Sequence, residues 1–228
     1  MAKQLNGIIK EYYNNGALWK ETAYKDNVKD GIEREYYESG NLKNVSEYKM
    51  DYKIKQVEYE PDGKPKEGMQ KQYHENGVLW VEAPYESGTV NGIEKIFYET
   101  GELWFETIYV EGIKGGVEKE YYESGRIKSE TPYNRGIKNG IEKWYYEDEV
   151  LMIELPYAYG VMNGTSRSYY KNKFLKSEVT YRDGKEEGSF KAYYETGNLK
   201  IEIEYHSGKP IKKIEYDPGG IMIYSVKL

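Results

Sequence analysis

A glycine returns every 24 residues along most of this chain, and the same residue types follow it each time. The opening glycines are Gly7, Gly31, Gly68, Gly92, Gly116, Gly140, Gly164 and Gly188. One spacing, from Gly31 to Gly68, is 37 residues: a full unit plus a half-unit of 13, around YKIKQVEYEPDGKPK. A final partial unit, KKIEYDPGGIMIYSVKL, resembles that insert. A fixed period of this length implies a repeat architecture, in which each unit completes its packing only against its neighbours.

Numbering each unit from its glycine as position zero exposes the columns. Position three is always basic: Lys10, Arg34, Lys71, Lys95, Lys119, Lys143, Arg167, Lys191. Position five is always aromatic, from Tyr12 to Tyr193, and position six is Tyr except for His74. Position eleven is aliphatic, position seventeen is Tyr, and position fourteen is Glu except for Val45. Each unit holds two runs rich in aromatic and β-branched residues, bounded by Gly, Asn and Asp, which is the signature of a hairpin. The density of Gly and Pro and the alternation of residue types oppose a helix.

The first turn reads Glu-x-Gly. It suits a two-residue loop or a type I turn with a glycine bulge. With a two-residue loop, paired positions sum to seventeen, and the basic residue at three faces Glu at fourteen. Such a pair is worth roughly 0.2–1 kcal/mol, so the column sets register more than stability. The same register places Tyr at six opposite the aliphatic residue at eleven, on the face of Tyr at seventeen. The other face would carry the charged rungs, the aromatics at five, and Trp19, Trp80 and Trp104 at position twelve.

These columns resemble the bacterial variant of the MORN repeat, with its Gly-x-x-x-x-Tyr-Tyr, x-x-Gly-x-Leu and Tyr-x-x-Gly elements, as in EGSFKAYYETGNLKIEIEYHSGK. The resemblance covers almost the whole chain. It implies an all-β fold, an elongated, twisted antiparallel meander of stacked hairpins. This would be a single-sheet solenoid of about nine 24-residue units, forming one repeat domain over residues 1–228, with a half-unit at 53–67 and a terminal partial unit at 212–228. Many bacterial proteins of this kind look like antitoxins or immunity proteins, and eukaryotic ones are scaffolds. The eukaryotic pattern carries more Gly and Trp, and no kinase-like sequence accompanies these repeats. Lipid contact and lipid kinase activity are therefore not carried over.

Composition narrows the chemistry. The chain has no Cys and two His, which leaves little for a zinc site, a disulfide or a catalytic triad. His74 reads as a substituted member of the Tyr column, and His206 as a turn residue. The Gly residues mark turns rather than a phosphate cradle. DGKEEG, residues 183–188, is the best stretch for calcium and is poor in Asp. No cofactor and no metal are expected. A net charge of −6 disfavours direct nucleic-acid binding. No run approaches the length of a membrane span, so the expected location is the cytoplasm.

Breaks in the columns point to binding. In YEDEVLMIELPYAYGVMNG the turn glycine is replaced by Glu149, after Glu147 and Asp148, and the unit gains Met152, Tyr159 and Met162. Met and Tyr suit recognition surfaces. Trp19, Trp80 and Trp104 offer a second candidate stripe. The expected function is a non-catalytic protein-binding inhibitor: an antitoxin, an immunity protein or a phage-type inhibitor of a bacterial defence nuclease. Its expected partner is an enzyme with a basic, nucleic-acid-handling surface. The alternative is a structural scaffold or a homodimer pairing through the C-terminal strand IMIYSVKL, because an open sheet edge invites another strand.

Overall fold

A computed structural model describes residues 5–228, and the protein is all-β. The residues gather into two compact units: one extends to Gly101 and takes in Glu106–Gly116, and the other comprises Glu102–Phe105 and Val117–Leu228. In the first, β1 (Gly7–Tyr12), β2 (Leu18–Lys25), β3 (Val28–Tyr36), β4 (Leu42–Lys49) and β5 (Tyr52–Glu58) form a five-stranded sheet in chain order. Then follow β6 (Gly68–Tyr73), β7 (Leu79–Glu86), β8 (Thr89–Val90), β9 (Gly92–Phe97), β10 (Leu103–Val110), whose first residues belong to the second unit, and β11 (Ile113–Lys114). The second continues with β12 (Gly116–Tyr121), β13 (Ile127–Asn134), β14 (Ile137–Lys138), β15 (Gly140–Tyr145), β16 (Leu151–Ala158), β17 (Val161–Met162) and β18 (Gly164–Tyr169). It ends with β19 (Leu175–Arg182), β20 (Lys185–Glu186), β21 (Gly188–Tyr193), β22 (Leu199–His206), β23 (Lys209–Tyr216) and β24 (Met222–Lys227). The ladders are antiparallel between strands near in sequence, so each unit is an open meander of repeated hairpins.

The inserted half-unit interrupts the ladder. It supplies β5 and no full partner hairpin, and its tail folds into a tight Glu60–Lys64 turn with an isolated bridge from Tyr59 to Pro65. The first sheet therefore ends at β5 and the next starts at β6. The insert docks on the end of the β7–β8 hairpin. The Glu58 amide donates to the Gly88 carbonyl, the Gly88 amide to Lys66 O at 2.6 Å, and Thr89 Oγ1 to Gln56 O at 2.9 Å.

Two different turns alternate. At the first, the Gly16 amide donates to Tyr13 O at 2.9 Å and the Tyr13 amide to Ala17 O at 2.8 Å, with Gly16 at φ 84°. This is the three-residue loop with a glycine in the left-handed region. At the second, both central residues have positive φ, as in Asp183 at 51° and Gly184 at 78°. That geometry matches the right-handed twist of the flanking strands.

The bulged turn corrects part of the expected register. Pairs from zero to four do sum to seventeen, and Lys10 faces Glu21 and Lys143 faces Glu154. Beyond them the register shifts by one, so Tyr12 at position five, not Tyr13 at six, lies opposite Leu18. The residue at twelve is the extra one on the second strand, and position six lies beyond the last strand pair. There its hydroxyl reaches the next hairpin. Tyr13, Tyr122, Tyr146, Tyr170 and Tyr194 donate to the carbonyls of Tyr36, Tyr145, Tyr169, Tyr193 and Tyr216 at 2.7–3.0 Å.

Where a preceding unit roofs it, the opening glycine is required twice over. Gly140 has φ +126°, where a side chain is strained, and a Cβ there would stand 2.8 Å from Pro132 Cγ. Residue sixteen of one unit thus covers the glycine of the next. Gly140→Ala is expected to lower stability by roughly 1–3 kcal/mol through φ strain and the displaced proline. Chemical denaturation would check it: a loss no greater than that of an exposed strand substitution means the glycine column reflects neither constraint.

Candidate interaction surface

The best-buried layer of the protein is polar. Among the described residues Ala83 is the one hydrophobic residue classed as buried, whereas Thr22, Glu33, Ser46, Thr107, Glu120, Ser129, Thr131 and Glu142 are all buried. They occupy positions two, four, thirteen and fifteen, one face of the hairpins. Buried polar groups must be partnered, and these are. Glu33 accepts from Lys29 Nζ at 2.6 Å and Thr22 Oγ1 at 3.0 Å, with Lys20 Nζ at 3.3 Å. Glu142 repeats the arrangement with Lys138 Nζ at 2.7 Å, Thr131 Oγ1 at 3.2 Å and Trp144 Nε1 at 3.2 Å. Glu120 accepts from Lys128 Nζ at 2.8 Å and Ser129 Oγ at 3.4 Å. Sequence reading missed these carboxylates because only the Glu at fourteen forms a nearly full column. The available signal was Lys29–Glu33 and Lys138–Glu142, the same charge pair four residues apart.

Burial alone would raise the Glu33 carboxyl, but the hydrogen bonds from Lys29 and Thr22 outweigh it and hold the group below its ordinary value. Glu21 and Glu35 are lowered likewise, against burial, by Tyr36 and Arg34 and by Lys20 and Asn44 respectively. In the buried layer Glu33, Glu35, Glu120 and Glu142 each have both carboxylate oxygens engaged, so the layer holds the sheet together, whereas Glu21 belongs to the opposite face. On the opposite face the rungs are loose. Lys10–Glu21, Lys71–Glu82 and Arg167–Glu178 stand at 3.6 Å, and their exposed partners make them worth at most about 1 kcal/mol each. Tyr145 donates to Glu130 at 2.8 Å, and its phenol is pushed up to about 12 by burial and that bond.

The three tryptophans do not stand free. Trp19 and Trp80 occupy the bulge and lie 6.3 Å and 6.0 Å from the rings of Tyr13 and His74. Where the column is Lys, the ammonium covers the same ring: Lys176 over Tyr170 at 5.6 Å, Lys200 over Tyr194 at 5.5 Å. Trp104 lies 5.1 Å from Phe105 and donates to Glu120 at 3.4 Å. Trp19 and Trp80 are thus lids on their own hairpins and Trp104 reaches the next one, though about a third or more of each remains exposed. His74 does what the Tyr column does: its Nε2 is 3.0 Å from Phe97 O.

The altered unit divides in two. Glu147, Asp148 and Glu149 form the exposed turn at one end of β16, and Met152 lies at the bulge beside it. Tyr159, 84% exposed, and Met162 lie at the other end, about 20 Å away for a strand of this length. The structure instead joins the first group to a second altered turn. Glu149 keeps the hairpin by taking φ 65°, and Lys173, in the neighbouring turn, stands at φ 69° where other units have glycine. Between them lies a cleft of about 440 Å³ lined by Asp148, Glu149, Val150, Leu151, Tyr169 and Lys173. Lys171 Nζ reaches Asp148 at 3.9 Å across the gap, and Phe174, 53% exposed, stands beside it. Lys173 was a legible second break in the glycine column.

The MORN repeat variant model matches residues 5–26, 29–50, 66–87, 90–111, 114–135, 138–159, 162–183 and 186–207. The chain belongs to that family of hairpin-repeat proteins. No curated protein matches it. Among solved structures, the TcdB2–TccC3 complex and the TcdB2–TccC3–Cdc42 complex each align over 96% of the chain at 12% identity and a TM-score of 0.18. The Photorhabdus luminescens Tc holotoxin pore aligns over 97% at 11% identity and a TM-score of 0.17. The chain spans only 12–16% of the length of those chains.

Carboxylates whose folded values are lowered stabilise the fold above the ordinary value of 4.5, and that contribution is lost as pH falls through the folded values. Glu21, Glu33 and Glu35 all lie in the β1–β5 sheet, so this sheet should lose stability as pH drops below about 4.5. Glu33→Gln should cost roughly 2–4 kcal/mol at neutral pH, by stranding the Lys29 charge, and should flatten the acid limb. Urea melts of both proteins from pH 7 to pH 3 measure this, and parallel pH profiles would refute it.

Proposed function

We propose that this protein is a non-catalytic protein-binding module whose contact surface centres on the paired turns around Glu149 and Lys173. The observation behind this reading is a double departure. Two adjacent units hold a side chain in the left-handed region, each at a cost of about 1 kcal/mol, where their siblings use glycine. Both line one cleft, floored by Val150 and Leu151 and rimmed by charge. Strain kept at neighbouring positions that share a surface is economically explained by what the side chains contact. In its finer form the proposal is an inhibitor, an antitoxin, immunity protein or phage-type inhibitor of a defence nuclease, acting in the cytoplasm. Glu147, Asp148 and Glu149, on a chain of net charge −6, suit the basic groove of a nucleic-acid enzyme. Trp19, Trp80, Trp104, Met152, Tyr159 and Met162 remain proposed contacts of lower rank, since none of the clefts described above gathers them.

A second reading has its own observation. Ile221, Met222, Ile223 and Tyr224 are 49–68% exposed, which favours self-assembly through β24. Light scattering across a concentration series, with and without substitutions at Met222 and Tyr224, separates this reading from the first.

Glu149→Gly and Lys173→Gly should each raise stability by about 1 kcal/mol while weakening partner binding. Reversing Glu147, Asp148 and Glu149 to Lys should leave the melting temperature nearly unchanged and abolish salt-sensitive capture of a basic enzyme. The inhibitor form further requires that adding the protein lowers that enzyme's activity. Capture undiminished by the glycine pair and by the reversals together would remove these turns from the interface.

A further inference from the structure

On the face that carries the basic column, one stretch of the second unit departs from several columns together. Position one is apolar in six units, as Ile8, Ile32, Met69, Ile93, Val117 and Ile141, and then becomes Thr165 and Ser189. Position sixteen, Pro in three units, becomes Thr180. Position eighteen, which varies from unit to unit, is Arg182 here, and position three is Arg167 rather than the usual Lys. These scattered sequence changes meet in space. With Glu178, Glu187, Gly188 and Lys191 they line a cleft of about 450 Å³, three cationic side chains against two carboxylates.

The floor of this cleft is open for a specific reason. At Gly31, Gly92, Gly116, Gly140 and Gly164 the residue at position sixteen of the preceding unit would stand within 3.2 Å of an added Cβ. At Gly188, which follows Thr180, an added Cβ would meet nothing within 4 Å. Gly7 and Gly68 are bare too, but neither directly follows a full 24-residue unit; of the opening glycines that do, Gly188 is the bare one.

The charges around it are unequal in their engagement. Arg167 faces Glu178 through Nε alone, at 3.6 Å, which leaves its terminal nitrogens for another acceptor. Lys191 Nζ is 3.9 Å from Glu202. Among the described residues the Arg182 guanidinium has no hydrogen bond or ion pair, and its charge acts at a distance on Glu187. The two carboxylates in the lining each have partners of their own. Glu178 accepts from Tyr193 Oη at 3.2 Å, and Glu187 accepts from the Ser207 amide at 2.8 Å and lies 3.1 Å from His206 Nδ1. Ser189 Oγ is spent on Glu202 at 2.7 Å, while Thr165 and Thr180 share one hydrogen bond at 2.9 Å and keep one hydroxyl proton free.

We propose that this cleft binds a phosphate monoester. Two guanidinium groups, an ammonium and a hydroxyl proton converge on one space, which suits a tetrahedral oxyanion whose oxygens take donors from several sides. The volume exceeds a bare phosphate and leaves room for the group that carries it. This site is independent of the turn surface around Glu149 and can stand or fall without it.

Isothermal calorimetry on the full chain at low salt tests the proposal, with O-phosphoserine, inorganic phosphate and acetate as probes. Saturable binding of O-phosphoserine, with acetate silent, is expected. Arg182→Gln should weaken it about tenfold or more by removing one charge-assisted contact. Thr165→Ile and Thr180→Pro restore residue types that sibling units carry at those positions, so they should abolish binding without lowering the melting temperature. Inorganic phosphate binding as tightly as O-phosphoserine would keep the oxyanion site and reject the ester. Absence of saturable binding by either phosphate probe, or equal binding by Arg182→Gln, overturns the site.

Discussion

A side-chain hydroxyl on a main-chain carbonyl, repeated hairpin after hairpin, is what the rest of this structure depends on. A hairpin one layer thick cannot bury a hydrophobic face, and an isolated one is marginal in water. Among the described residues almost no apolar side chain is fully buried, so neighbours must be held by directed contacts. Tyr146 Oη on Tyr169 O at 3.0 Å and Tyr170 Oη on Tyr193 O at 2.8 Å are such contacts. They sit at the bulged turns, where the ladder has ended and strand pairing no longer fixes the chain. The requirement is a donor at that reach, not a phenol as such, which is why His74 can stand in the column by placing Nε2 3.0 Å from Phe97 O.

The polar layer follows from the same thinness. Lys29, Thr22 and Glu33 form a cluster that is satisfied atom by atom, and Lys138, Thr131 and Glu142 form it again a hundred residues on. Desolvating a carboxylate is costly unless its hydrogen bonds are complete. A fully partnered cluster also specifies register, because a one-residue slip would carry Glu33 to the other face and leave Lys29 unmatched. Apolar side chains would tolerate such a slip more readily. Stability and register thus come from one device.

How much of this was legible depended on whether a constraint left a column. The basic residue at three and Glu at fourteen are invariant enough to give the pairing, and Lys10 opposite Glu21 is as the sequence implies. The bulge left no such mark. Trp19, Lys43 and Met152 share the extra position on the second strand, and residues so different conceal a common backbone geometry. The register beyond position four could not be read for that reason. The buried carboxylates were hidden in another way: positions two and four hold Glu in some units and Ser, Trp or Ala in others, because each cluster is solved locally.

A repeat also serves as its own reference, and that is where function becomes visible. Glu149 alone reads as a tolerated lapse in a glycine column. Glu149 beside Lys173, both with positive φ and both on one cleft, is a shared property of a surface. Likewise Thr180 alone is an ordinary strand residue. Thr180 above Gly188, an opening glycine without the roof carried by Gly31, Gly92, Gly116, Gly140 and Gly164, is a local change of shape, and beside it Arg182 supplies a charge with no ion pair among the described residues. In each case the sequence displays the substitution and the fold displays the company it keeps. Columns that bind neighbouring hairpins are held by the fold itself, so departures that cluster in space, rather than along the chain, are those for which the fold offers no reason.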